Sequence, residues 1–173
     1  MIFGEKIRNN YFKKIKNAAM LQKPKEGIRA TVIGACEYTL QASGTTSYLS
    51  TLNSLPAFGL KVVHCLISKD YSAERVQHTI DQALRKLDIP RFTEGLAFSL
   101  SLDGLPDYQY LKRVALGIAG TVINSGSHAP LFLILKTDVA KSLGGILKKE
   151  LKVSQDLIAV DGIEVGDLDY IDI

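Results

Sequence analysis

Few side chains in this sequence are of the types that bind metals or attack substrates. The chain has three histidines, His64, His78 and His128, and two cysteines, Cys36 and Cys65. His64 and Cys65 are neighbours in a predicted strand, so they point to opposite faces of the sheet and cannot bind one ion together. The sequence has no Cys-x-x-Cys pair and no two histidines at helical i, i+4 spacing. This spacing predicts no metal site.

Covalent catalysis has little support for a similar reason. The Ser-Gly-Ser-His segment at 125–128 lacks the Gly-x-Ser-x-Gly elbow of a serine nucleophile. The base of a catalytic triad is normally distant in sequence from the nucleophile. We interpret this segment as a loop after a helix, ended by Pro130. Cys36 follows Gly34-Ala35 at a strand end, and a small apolar core residue is favoured there over a reactive thiol.

Two glycine segments could bind phosphate or could simply shape the backbone. Ser43-Gly44, in the segment 43–46 (Ser-Gly-Thr-Thr), resembles the phosphate hairpin of actin-like ATPases but lacks its aspartate. A plain hairpin turn is the favoured interpretation. Gly144 and Gly145 fall inside a predicted helix, which favours close packing against the sheet over phosphate binding. There is no Walker loop and no Gly-x-Gly-x-x-Gly.

Hydrophobic periodicity predicts the elements that must position these residues. The predicted class is α/β with a mixed sheet and a C-terminal βαβ unit, whose two strands should be parallel. Residues 96–102 alternate between large and small side chains and predict a half-exposed or edge strand. Ser72, Asp107, and Thr137 or Asp138 are predicted helix caps. The predicted elements are a helix over 4–21, a linker over 23–27, a strand over 28–33, a hairpin around Ser43-Gly44, a buried strand over 60–67, a helix from Ser72 to Leu87, a strand over 96–102, a mostly buried helix over 107–123 with Gly117 and Gly120 allowing close approach, a strand over 131–135, a helix to about 151, a strand over 157–160 and a short strand near 170–171.

Composition and charge limit the class of protein. The chain has 173 residues, of which 46% are hydrophobic and 23% charged, as in an ordinary globular protein. No apolar run approaches the ~18 residues that span a bilayer, and no signal peptide is recognisable, so we expect a cytoplasmic protein. Residues 1–29 carry eight basic and two acidic side chains, whereas residues 154–173 carry six acidic and no basic ones. Without aromatic interleaving in the basic segment, we expect no nucleic-acid partner.

Three segments together carry a family resemblance. They are the residues 30–35 (Ala-Thr-Val-Ile-Gly-Ala) followed by 40–44, the strand 131–135 followed by 138–144, and the ending 166–173 (Gly-Asp-Leu-Asp-Tyr-Ile-Asp-Ile). Their order and spacing resemble the C-terminal part of the ethanolamine ammonia-lyase reactivating factor family. The resemblance covers about residues 28–173 and implies a single α/β domain there. Residues 1–27 would form a basic helix and linker outside it.

The resemblance implies a relative of the actin-like (ribonuclease H-like) ATPases that acts as a chaperone. Such a factor uses ATP to release damaged cobalamin from an adenosylcobalamin-dependent lyase, so ATP or ADP is the implied bound nucleotide. It implies a nucleotide site at Gly34, Ala35 and Cys36, with Ser43 and Gly44 at the phosphates.

The family's N-terminal phosphate motifs have no counterpart in this sequence, and nothing in it would bind the metal and both terminal phosphates, so we expect no autonomous ATP hydrolysis. The expected protein is a fragment or stand-alone descendant, a protein- or nucleotide-binding module with a lyase subunit as partner. A homodimer is expected through the apolar stripe of the N-terminal helix. The alternative is a small-molecule-binding domain or small enzyme with a pocket at the strand ends.

Overall fold

The computed structural model describes residues 46–165 and 169–173. The predicted helix over 4–21, the linker, the strand over 28–33 and the first strand of the predicted hairpin lie outside these residues. The elements are β1 (Tyr48–Leu49), β2 (Leu60–Ile67), α1 (Ala73–Lys86), β3 (Leu96–Leu102), α2 (Tyr108–Ser125), β4 (Leu131–Leu135), α3 (Ala140–Gly145), a π-helix (Ile146–Glu150) that continues α3, β5 (Leu157–Asp161) and β6 (Tyr170–Ile171).

The six strands form one mixed sheet in the order β1-β5-β4-β3-β2-β6. The four central strands, β2 to β5, are parallel, while β1 and β6 pair antiparallel at the two ends. Leu131 of β4 is in register with Leu157 of β5. The predicted βαβ unit and the predicted strand near residues 170–171 are therefore confirmed.

The three α-helices of the described residues lie on one face of the sheet, here called the helical face. Each crossover from β2 through β5 moves one position in the same direction. Because parallel crossovers are right-handed, successive steps in one direction place their helices on the same face. Val76 of α1, Val114 of α2 and Leu143 of α3 belong to one core cluster with the strands.

The opposite face of the sheet, here called the second face, carries a smaller core. Its buried cluster contains strand residues and Ile173, and no residue of a described helix. Ala57 and Ile173 exchange two backbone hydrogen bonds, with N–O distances of 2.7 and 2.8 Å. The Asp172 carboxylate accepts a further bond, of 2.7 Å, from the amide of Gly59. Among the described residues, the segments around Ala57 and Ile173, which are not helical, therefore pack on this second face.

The caps of the first two helices are confirmed. The Ser72 hydroxyl accepts a hydrogen bond from the amide of Arg75 at 3.3 Å, and Asp107 Oδ1 accepts one from the amide of Tyr110 at 2.8 Å. These side chains satisfy amides that the first helical turn leaves without partners. Gly126 ends α2 with a φ of 65°, in the left-handed region.

The predictions for β3 and for the cap of α3 are wrong. β3 is neither half-exposed nor at an edge, because it lies between β2 and β4 and its first five residues are buried. Ala97 and Ser99 are small residues that the structure buries on the second face. The alternation of large and small residues does not show that this face is covered. Neither Thr137 nor Asp138 caps α3. Instead, Asp161 accepts hydrogen bonds from the amides of Val139 and Ala140.

Three helical glycines sit where another group approaches closely. A Cβ on Gly117 would lie 2.5 Å from Val76 Cγ1, and one on Gly120 would lie 2.5 Å from Gln77 Oε1. A Cβ on Gly144 would lie 2.6 Å from Cβ of Tyr48 on β1. The predicted close approach of another backbone is confirmed at Gly117, where the Ala73 carbonyl would lie 2.9 Å away, and the predicted packing against the sheet is confirmed at Gly144; at Gly120 the approaching group is the Gln77 side chain. Gly145 faces open space, so close packing is wrong for that residue.

Gly144→Ala and Gly145→Ala form a matched pair that tests this packing. We expect Gly144→Ala to lower the free energy of unfolding by about 1–3 kcal/mol, because the new methyl overlaps Tyr48. Gly145→Ala should be neutral or should raise it by up to about 1 kcal/mol, because alanine favours helix and meets nothing. Urea titrations followed by circular dichroism measure both. Equal effects of the two substitutions would contradict the packing.

Candidate functional site at the carboxyl ends of the parallel strands

The nucleotide site that the resemblance implies cannot be placed in this structure. Gly34, Ala35, Cys36, Ser43 and Gly44 all lie outside the described residues. No contact between them and the sheet is therefore stated, and the site stays a prediction.

The carboxyl ends of β2, β3, β4 and β5 lie at one edge of the sheet, where α/β proteins usually bind ligands. Such ligand crevices form where the strand order reverses direction. From β2 to β5 the order advances without reversal, so these strands build no such crevice. The loops over this edge are instead tied to one another by a buried carboxylate and a buried tyrosine.

Asp161 is the buried carboxylate, at the last position of β5 and only 4% exposed. Its Oδ1 accepts hydrogen bonds from the amides of Ala140 at 2.8 Å and Val139 at 3.2 Å. Its Oδ2 is buried without a hydrogen-bond partner among the described residues. Desolvation raises the pKa of Asp161; the two backbone amides oppose this shift and the charge of Asp138 adds to it. The carboxylate thus joins β5 to the start of α3.

Tyr110 is the buried tyrosine, fully enclosed at the start of α2. Its hydroxyl donates to the carbonyl of Ile67 at the end of β2 (2.6 Å) and accepts from the amide of Asp103 after β3 (3.2 Å). Burial raises the pKa of this phenol, so it stays a neutral donor. Arg113, one turn further along α2, donates to the carbonyls of Tyr71 and Lys69. α2 thereby fixes the chain that leaves both β2 and β3.

A groove of about 480 Å³ lies between the first turn of α2 and the pair formed by α3 and the π-helix. At its rim the Tyr108 hydroxyl donates to Glu150 at 2.7 Å and accepts from Lys112 at 3.2 Å. Lys112 and Glu150 also form an ion pair at 3.4 Å. The residues that line this groove are Pro106, Tyr108, Leu111, Val139, Lys141, Ser142, Gly145, Ile146, Lys149 and Glu150. We call it the α2–α3 groove.

Three of the other residues considered for chemistry have clear structural places. Cys65 is buried on the helical face, whereas His64 contacts the Ser101 hydroxyl at 2.9 Å, so their predicted opposite orientation is confirmed. Ser125 is the last residue of α2, and its hydroxyl donates to the carbonyl of Val122 and accepts from the amide of Ser127 in the loop that follows. Within residues 46–165 and 169–173, no three potential metal ligands cluster. No helix in that part of the chain is long and apolar enough to cross a bilayer.

Asp161 and the groove rim were not singled out by the sequence analysis. The position of Asp161 directly after an apolar strand was an available signal, because carboxyl ends of parallel strands gather polar groups. Tyr108, Lys112 and Glu150 meet only when α2 packs beside the π-helix, and Tyr108 and Glu150 are 42 residues apart. Tyr108 and Lys112 are neighbours at i, i+4 spacing on α2, but no local pattern links Glu150 to them.

The raised pKa of Asp161 predicts a pH dependence of stability. The ordinary pKa of an aspartate is 3.8, and in the folded chain the pKa of Asp161 lies above that value. The folded chain therefore keeps the Asp161 proton to higher pH than the unfolded chain does. The protonated Asp161 side chain contributes its full stabilisation below pH 3.8, and this contribution is lost as the pH rises through the pKa of Asp161 in the folded chain. We therefore expect Asp161→Asn to become more stable relative to wild type as pH rises from about 4 to about 7, since Asn keeps the acceptor without the charge.

Asp161→Ala is the control for the hydrogen bonds themselves. It removes the acceptor of two amides and should lower the free energy of unfolding by about 1–3 kcal/mol across that pH range. Urea titrations at several pH values measure both variants. A constant difference between Asp161→Asn and wild type at all pH values would contradict the assignment.

Comparison with known proteins shows the family to which this chain is similar. The family model described as "Ethanolamine utilisation protein EutA" matches residues 1–173. The chain is 33% identical over 153 residues to the ethanolamine ammonia-lyase reactivase EutA of Salmonella typhimurium strain LT2, and 30% identical over 153 residues to that of Escherichia coli strain K12. Each match covers 88% of this chain and 31% of the relative.

No solved structure matches the chain. It spans about a third of the length of these curated relatives. The resemblance in the sequence to the reactivating factor family is thus confirmed by a match over every residue, and the chain belongs to the family of the ethanolamine utilisation protein EutA.

Proposed function

We propose that this chain serves the reactivation of ethanolamine ammonia-lyase as a non-catalytic binding module. The observation that carries this proposal is the family match over all 173 residues, together with relatives named as reactivases of that lyase. Because the chain spans only 31% of each relative, the proposed role is one part of the work of a reactivase. That part is to contact the lyase, which the resemblance implies is adenosylcobalamin-dependent, as a chaperone does.

The surface of the described residues supports a role in protein contact. Leu105, on the loop after β3, is 86% exposed, and Leu66, at the end of β2, is 68% exposed. Leu105 directly precedes Pro106, which lines the α2–α3 groove, so its exposed side chain extends the apolar surface there. Two of the groups that would act as nucleophile or base, the Ser125 hydroxyl and the His64 imidazole, have structural partners in Val122 and Ser101.

The finer parts of the proposal concern nucleotide, assembly and location. The chain would contribute part of an actin-like nucleotide site through Gly34, Ala35, Cys36, Ser43 and Gly44, binding ATP or ADP without hydrolysing it. We further propose a cytoplasmic location, a homodimer and no nucleic-acid partner. The alternative, a small-molecule site at the strand ends, has less support because the order from β2 to β5 forms no crevice.

The proposed function predicts direct binding to ethanolamine ammonia-lyase. We expect the purified chain to bind immobilised lyase with a dissociation constant of about 10 µM or tighter in surface plasmon resonance. The control surface carries an unrelated protein of similar charge. Absence of binding to the lyase, or equal binding to both surfaces, would contradict the proposal.

Calorimetry with ADP and ATP separately tests the nucleotide part. The matched variants are Gly44→Val and, as a control in the described fold, Gly145→Ala. Binding that Gly44→Val abolishes and Gly145→Ala preserves would support the predicted site. Lyase binding without any heat from nucleotide would leave the chain as a protein-binding module alone.

A further inference from the structure

The α2–α3 groove has an apolar floor and a polar rim. Leu111, Val139 and Ile146 form the floor, and Leu111 and Ile146 are each 5% exposed. No polar side chain among the residues lining the groove is buried, whereas small-molecule sites usually place a few buried polar groups to orient the ligand. An open groove with these properties fits the side chains of another polypeptide better than a small ligand.

The charge of the rim is positive. Lys141 and Lys149 line the groove, and Lys112 stands beside it over the Tyr108 ring, 5.4 Å from the ring centroid. Glu150 supplies the only carboxylate among the residues lining the groove, and Lys112 is its ion-pair partner. Because Lys112 already pairs with the one lining carboxylate, Lys149 at the rim favours a segment that brings its own carboxylates.

The loop after β3 adds an apolar contact at the mouth of the groove. Leu105 is 86% exposed and directly precedes Pro106, which lines the groove. Gly104, with a φ of 67°, turns the chain just before it. Tyr108, 49% exposed, is held in place by Glu150 and Lys112. An aromatic anchor fixed in advance costs little entropy on binding.

We infer that the α2–α3 groove is the docking site for an acidic segment of ethanolamine ammonia-lyase. An apolar side chain of that segment covers Leu111 and Ile146, its carboxylates face Lys149 and Lys141, and Leu105 packs at its edge. This inference rests on the proposed function, because it names the surface through which that function is carried out.

The test compares groove variants with matched variants elsewhere in surface plasmon resonance on immobilised lyase. Lys149→Glu is matched by Lys86→Glu at the exposed end of α1, and Leu105→Ser by Ile123→Ser, which changes another exposed apolar residue. We expect Lys149→Glu to weaken binding by about tenfold or more and Leu105→Ser by about fivefold. The two matched variants should stay within about twofold of wild type. Added salt should weaken wild type more than Lys149→Glu.

Each outcome decides the inference. Binding by wild type that the groove variants retain would overturn the groove and leave the proposed function standing. Equal losses in groove and matched variants would show unspecific charge attraction and also overturn it. No binding by wild type would overturn the proposed function, and the inference with it. If light scattering shows that the groove variants instead dissociate a dimer, the occupant is a second copy and the inference is wrong. Circular dichroism melts check folding, and Lys149→Gln replaces Lys149→Glu if the latter unfolds.

Discussion

The fold depends on the single direction in which its parallel strands are added. Right-handed crossovers from β2 to β5 place α1, α2 and α3 on one face of the sheet. The second face would expose buried strand residues to water unless something else covered it. Among the described residues, Ile173 and the segment around Ala57 pack on that face through apolar contacts and paired backbone hydrogen bonds. The same direction removes the strand-end crevice, which moves the candidate contact surface to a groove between helices.

Local patterns predicted most elements correctly. The caps Ser72 and Asp107 follow from side-chain chemistry that acts within one turn, and the parallel βαβ unit follows from its length and apolar spacing. β3 was misassigned because alternation with Ala97 and Ser99 shows which residues are small, and not what covers them. The start of α3 was misassigned because its acceptor, Asp161, lies 21 residues from Ala140.

The candidate site was harder to predict than the fold. Asp161 and Tyr110 join loops that follow different strands, and both act through backbone groups that have no sequence signature. The family resemblance came from order and spacing in three separate segments, and it pointed to nucleotide-contacting residues outside the described part of the chain. The groove required the packing of α2 beside the π-helix, which no motif specifies.

The π-helix gives the groove rim a sensitivity to chain length. In a π-helix each amide bonds to the carbonyl five residues earlier, whereas in an α-helix it bonds to the carbonyl four residues earlier. The segment Ile146–Glu150 therefore holds one more residue than an α-helix would in the same place. Removing one residue between Ile146 and Glu150 would return the segment to α-helical hydrogen bonding while the chain on either side kept its place. Only the residues left within that turn would shift by one position, or about 100° around the helix axis. The places of Lys149 and Glu150 in the rim therefore depend on one extra residue, whereas the floor at Leu111 on α2 does not.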